Sequence, residues 1–88
     1  MQTNGQYRVG TTFNPSSSDL VNEIKSRAAE FIDLIEMIPT PTEGPEITKA
    51  QYRQVAEIIR GRSNAMNAIE SAAMWAVKAA TKPEPEED

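Results

Sequence analysis

The chain has 88 residues, a size at which a domain buries only about 60–65% of its unfolded surface, so its own core is marginal. With no cysteine and no histidine, it has neither a disulfide nor a Cys/His metal set to supplement that core, and oligomerisation is the remaining common remedy. The net charge of −4 argues against a general nucleic-acid binder, whose affinity depends on neutralising many phosphates.

The first residues, Met1-Gln2-Thr3-Asn4-Gly5, are polar and lack the apolar stretch of a signal peptide. No apolar run approaches the roughly 20 residues needed to span a bilayer, so a cytoplasmic protein without membrane contact is expected. Residues 1–15 read as an extended or irregular arm. Gly5 and Gly10 interrupt any helix, and Tyr7-Arg8-Val9 and Thr11-Thr12-Phe13 have β-type composition. Asn14-Pro15 marks a turn. The run Ser16-Ser17-Ser18-Asp19 is a helix start, with Ser16 and Asp19 at capping-box spacing.

A first long helix is expected over about 17–37. Leu20, Ile24, Ala28, Phe31, Ile35 and Ile38 recur at spacings of three and four, and Val21, Ile32 and Leu34 widen the stripe. Glu23, Glu30, Asp33 and Glu36 fall on its polar side and read as a solvated face. Pro41 stops the helix, and residues 39–46 hold three prolines and a glycine, the composition of a connecting loop. Thr48 and Gln51 then fit a capping box, flanked by Ile47 and Tyr52 as a hydrophobic staple. The apolar register runs from Val55 to Ala80 without losing phase at Gly61. One helix over about 48–81 is expected, with a bend or break at Arg60-Gly61-Arg62 as the alternative. Glycine inside a helix costs roughly 1 kcal/mol relative to alanine, so Gly61 calls for a packing or ligand reason.

The fold class that follows is all-α: a hairpin of one shorter and one long helix behind an irregular N-terminal arm. The domain is read as 1–82, with 83–88 as an acidic disordered tail. At 1.5 Å per residue the two helices are about 30 Å and 50 Å long, so the shorter cannot cover the longer. The overhang is expected at the alanine-rich end (Ala65, Ala68, Ala72, Ala73, Ala76, Ala79, Ala80, with Trp75), and another copy of the chain is the simplest cover.

Three groups stand out as candidate binding residues. Phe13 either clamps back onto the first long helix or stacks on a nucleobase, with Asn14 offering a donor and an acceptor to the base edge. Lys25 either pairs with Glu23 or Glu30 or meets a phosphate as a point charge, with Arg8 and Arg27 able to assist. Arg60-Gly61-Arg62-Ser63-Asn64 is either a polar helix face or an anion site at a symmetry axis. Trp75 and Tyr52, on helical stripes, read as core or interface. Catalysis has little support: Ser16, Ser17 and Ser18 have no histidine partner, and no metal or cofactor is called for.

The order of these features resembles the phage anti-CBASS sponge family, small proteins that sequester cyclic oligonucleotide signals of bacterial antiphage immunity. The resemblance spans about residues 10–80. It rests on the aromatic near a polar turn, Ile24-Lys25, Ala28-Ala29-Glu30, Asp33-Leu34-Ile35-Glu36, the patch around Gly61, and Trp75-Ala76-Val77-Lys78-Ala79. It implies a helical protomer in a compact homohexamer, acting in the host bacterial cytoplasm, with cyclic dinucleotides such as cyclic GMP-AMP held between protomers. It also implies capture without hydrolysis. The aromatic and the lysine of the family fall on Phe13 and Lys25, beside Asn14. The family tends to use tyrosine for stacking, and the aromatic-to-lysine stretch is shorter here, which keeps Tyr7 as a competitor. Cyclic trinucleotides at a threefold site would fall to Arg62, Ser63 and Asn64. The competing reading is a helical phage adaptor that binds a host protein through its alanine-rich face.

Overall fold

In a computed structural model of the protein, residues 1–10, 19–41 and 47–85 are described. They form three helices and no strand: α1 (Asn4–Val9), α2 (Asp19–Glu36) and α3 (Lys49–Ala80). The α2–α3 pair is the expected hairpin, and α3 is one uninterrupted helix of 32 residues. Thr48 caps it as the sequence indicates: the Gln51 N–H donates to Thr48 Oγ1 at 3.1 Å, and the Thr48 N–H donates to Gln51 Oε1 at 2.9 Å. The helix passes through Gly61 without a break. A Cβ built there meets nothing within 4 Å, so packing within the chain does not require this glycine.

The N-terminal arm departs from expectation, because residues 4–9 are helical. Thr3 and Gln6 form the same reciprocal capping box as Thr48 and Gln51 (3.1 and 2.9 Å). Gly10 closes α1 in the left-handed region (φ 75°), its N–H donating to Gln6 O at 2.9 Å. Gly5 lies inside the helix. Its N–H donates to Asp33 Oδ1 at 2.6 Å, and a Cβ would run into the Ala29 carbonyl oxygen. Two caps therefore hold a six-residue helix that propensity alone would not, and the missing side chain lets its backbone lie directly on α2.

The core is small. Ile32 (0% exposed), Ile35 and Met66 form its centre, with Val9, Ala65 and Ile69 packed around it. On α2 the buried set is Val21, Ala29, Ile32 and Ile35. The expected stripe is therefore split: its members Val21, Ile32 and Ile35 are buried, while Leu20, Phe31, Leu34 and Ile38 are open to solvent; Leu34 is 62% exposed. The two stripes are offset by one residue, about 100° around the helix, so α2 is apolar on two faces and the protomer covers one.

The overhang also falls at the other end of α3. Glu36, at the end of α2, meets Arg62, while the α2 residue Lys25 shares a cleft with Ala73, Met74 and Val77. The alanine-rich half of α3 thus packs on α1 and α2, and its first half projects beyond them. The reason is chain length. The 12 residues from Met37 to Thr48 can reach about 40 Å when extended, enough to start α3 about 20 Å beyond the end of α2. The Cα envelope measures 67 × 34 × 13 Å, so the helices form one layer where stable domains have at least two.

Candidate functional site

Two carboxylates dock α1 on the hairpin. Asp33 holds the Gly5 N–H. Glu36 accepts from Asn4 Nδ2 at 2.6 Å through Oε1 and from Arg62 Nη2 at 3.2 Å through Oε2. Of the four acids expected on a solvated face, Glu23 and Glu30 are exposed, whereas Asp33 and Glu36 join the three helices. The next turn of α1 brings Arg8 against α3, where its Nη2 donates to Asn67 Oδ1 at 2.7 Å and pairs with Glu70 Oε2 at 3.1 Å. Its Nε is buried and finds no partner among the described residues.

Arg8 forms one wall of a cleft of about 500 Å³ between the three helices, lined also by Val9, Lys25, Glu70, Ser71, Ala73, Met74 and Val77. The volume lies within the usual 300–1,000 Å³ of small-molecule sites. Apolar atoms supply most of the lining, and Arg8, Lys25, Glu70 and Ser71 are the polar side chains. Small residues at Ala73 and Ser71 leave the space between α2 and α3 open. Lys25, half-buried here, has no carboxylate partner among the described residues. Glu23 and Glu30, the neighbours that would have taken it, are held by Arg27 at 2.9 and 3.7 Å. The Glu23 hydrogen bond, then the charges of Glu23 and Glu30, push the Arg27 guanidinium above its ordinary value.

Of the sequence-derived candidates, the structure brings Arg8 and Lys25 together. Arg27 lies outside the cleft lining, and Tyr7 is 74% exposed on α1. Arg62 is half-buried and bound to Glu36, while Ser63 and Asn64 are exposed. These three lie about 18 Å along α3 from Met74, a separate location. Phe13, Asn14 and the Ser16 cap lie outside the described residues. Trp75 is no core residue of the protomer: it is 62% exposed, with Lys78 Nζ 5.0 Å from its ring centroid.

Sequence reasoning missed Val9, Glu70, Ser71, Met74 and Val77. The signal for the α1 contribution was present in Thr3-x-x-Gln6, the same spacing read correctly at Thr48. Among the described residues, no cluster of His, Cys, Asp and Glu could hold a metal ion, and no helix is long and apolar enough to cross a membrane.

A family model described as Acb2/Tad1, hairpin domain, matches residues 4–81. No curated protein and no solved structure matches the chain. The matched family is a binding family, not a catalytic one, with a phage anti-defence role: its members bind cyclic oligonucleotides inside the infected host cell. A match that begins in α1 and runs to the cap of α3 covers the helices that build the cleft, and the chain therefore belongs to the Acb2/Tad1 hairpin-domain family of anti-CBASS cyclic-oligonucleotide sponges.

Proposed function

We propose that this chain sequesters cyclic dinucleotides, cyclic GMP-AMP among them, by stoichiometric capture without cleavage, and thereby withholds them from host CBASS effectors. The observation that carries this reading is the pairing of Arg8 and Lys25 across one largely apolar cleft. A cyclic dinucleotide has two flat bases and two singly charged diesters. Two cations among apolar walls suit that chemistry, with Lys25 as a point charge and Arg8 as a hydrogen-bonding fork. The base is stacked by an aromatic ring, Phe13 of the same chain or Tyr7 of a facing copy, with Asn14 at the base edge.

The working form is a homo-oligomer, a hexamer on the family pattern. One layer of helices leaves Phe31 and Leu34 exposed on α2, Met37 and Ile38 just beyond its end, and Tyr52 and Ile59 on the projecting half of α3. A second copy supplies the missing layer and encloses ligand from the far side. Arg62, Ser63 and Asn64, remote from the cleft, are the place for a cyclic trinucleotide. The host-protein adaptor is the weaker reading, because the matched family binds cyclic oligonucleotides.

The experiment is isothermal titration with a panel of cyclic di- and trinucleotides, beside the mass of the assembly and chromatography of the ligand after denaturation. Submicromolar binding of cyclic GMP-AMP with intact recovery is expected. Recovery of linear product would replace capture by nuclease activity, and absence of binding would end the sponge reading.

A further inference from the structure

The cleft holds a third charge that phosphate capture does not need. Glu70 lines the same cleft as Arg8 and Lys25, with its side chain 46% exposed and Oε2 3.1 Å from Arg8. Holding Arg8 in place does not explain it. Asn67 already accepts from the same guanidinium nitrogen at 2.7 Å, and a half-exposed ion pair contributes little to stability.

We infer that Glu70 is a specificity-determining residue, which makes the cleft accept phosphodiesters and reject nucleotides that end in a phosphate monoester. The inference rests on the cyclic-dinucleotide reading above and deepens it. A sponge works among a large excess of linear nucleotides. Their terminal phosphate carries about −1.5 to −2 at pH 7 on one phosphorus, whereas each diester of a cyclic dinucleotide carries a single charge. Arg8 and Lys25 alone would favour the more highly charged ligand, since Coulomb attraction grows with charge. Glu70 offsets one of the two cations and leaves the cleft with one formal positive charge. A cyclic dinucleotide brings two singly charged diesters, about −2 in all. The linear dinucleotide with a 5′-phosphate brings one diester and one terminal phosphate, about −2.5 to −3 in all, and so more negative charge beside the carboxylate. The repulsion is proportional to ligand charge, so a penalty of about threefold in affinity per unit charge weighs about two- to threefold more heavily on the linear ligand.

The test compares cyclic GMP-AMP with the linear dinucleotide of the same bases bearing a 5′-phosphate, titrated into wild-type protein and Glu70→Gln. Glutamine keeps an acceptor for Arg8 and removes the charge. The expected result is a gain for both ligands, about two- to threefold larger for the linear one. Discrimination thus falls about two- to threefold, and both gains fade at about 1 M salt, where the screening length is about 3 Å. Equal gains, or losses for both ligands, would overturn the inference and make Glu70 a support for Arg8. Wild-type protein that binds neither ligand would overturn the cyclic-dinucleotide reading, and this inference with it.

Discussion

Replacing Gly5 by alanine sets two physical effects against each other with opposite signs. Helix propensity alone favours alanine inside a helix by about 0.8–1.0 kcal/mol. In this fold the added Cβ runs into the Ala29 carbonyl oxygen and comes within 2.7 Å of Asp33 Oδ1. The first contact is backbone, so α1 has to move. Overpacking of this kind costs about 1–3 kcal/mol. The movement also breaks the hydrogen bond from the Gly5 N–H to the Asp33 carboxylate, a charged-acceptor bond worth about 1.5–3 kcal/mol. Steric and hydrogen-bond losses outweigh propensity, and the net effect is a destabilisation of at least about 1.5 kcal/mol in α1 docking. It is capped where α1 detaches without unfolding the hairpin. Amide exchange at Tyr7, Arg8, Val9 and Gly10 should accelerate about tenfold or more, and binding of cyclic GMP-AMP should weaken in parallel because Arg8 leaves the cleft. Gly61→Ala is the control. With open space around its Cβ, it should stabilise by about the propensity difference. A Gly5→Ala protein as stable as the parent, with α1 protection intact, would refute the close-approach argument.

Lys25→Ala should weaken cyclic-dinucleotide binding by roughly 10- to 100-fold, the equivalent of one charged hydrogen bond. It should move folding stability by under about 0.5 kcal/mol; unchanged titration curves would take Lys25 out of the site. Leu34→Asp places a charge on the open apolar stripe of α2 (62% exposed). It should lower the assembly mass measured by light scattering while circular dichroism stays helical, and an unaltered mass would show that this face joins no second copy. Glu70→Gln should lose discrimination between cyclic and 5′-phosphorylated linear dinucleotides, as set out above.

The helical class, the hairpin, the Thr48 cap and the unbroken run through Gly61 were all legible in the chain. Periodicity and capping are local properties that α3 expresses without help. The arm was misread because Gly5, Gly10 and Tyr7-Arg8-Val9 score poorly as helix. Two caps and a docking carboxylate outvote that propensity, and Asp33 is 28 residues away in sequence. The sequence reading likewise ran the two apolar stripes of α2 together as one face. Both have helical spacing, and only the position of Met66 and Val9 shows which one is buried.

For the site, sequence alone singled out the charged residues but did not say which would meet. Lys25 and Arg8 were named for their chemistry beside Arg27, which is equally cationic. Arg27 is satisfied by Glu23 and Glu30 on its own helix, a contact set by i, i+4 and i, i+3 spacing. Arg8 and Lys25 share a cleft because α1 folds back over the alanine-rich half of α3, which also brings in Glu70. Residue type and helical period are written along the chain, so sequence determined the elements and the chemistry on offer. Which charges face one another depends on where a long loop and a side-chain-free glycine let the helices cross, and the tertiary structure alone decided that.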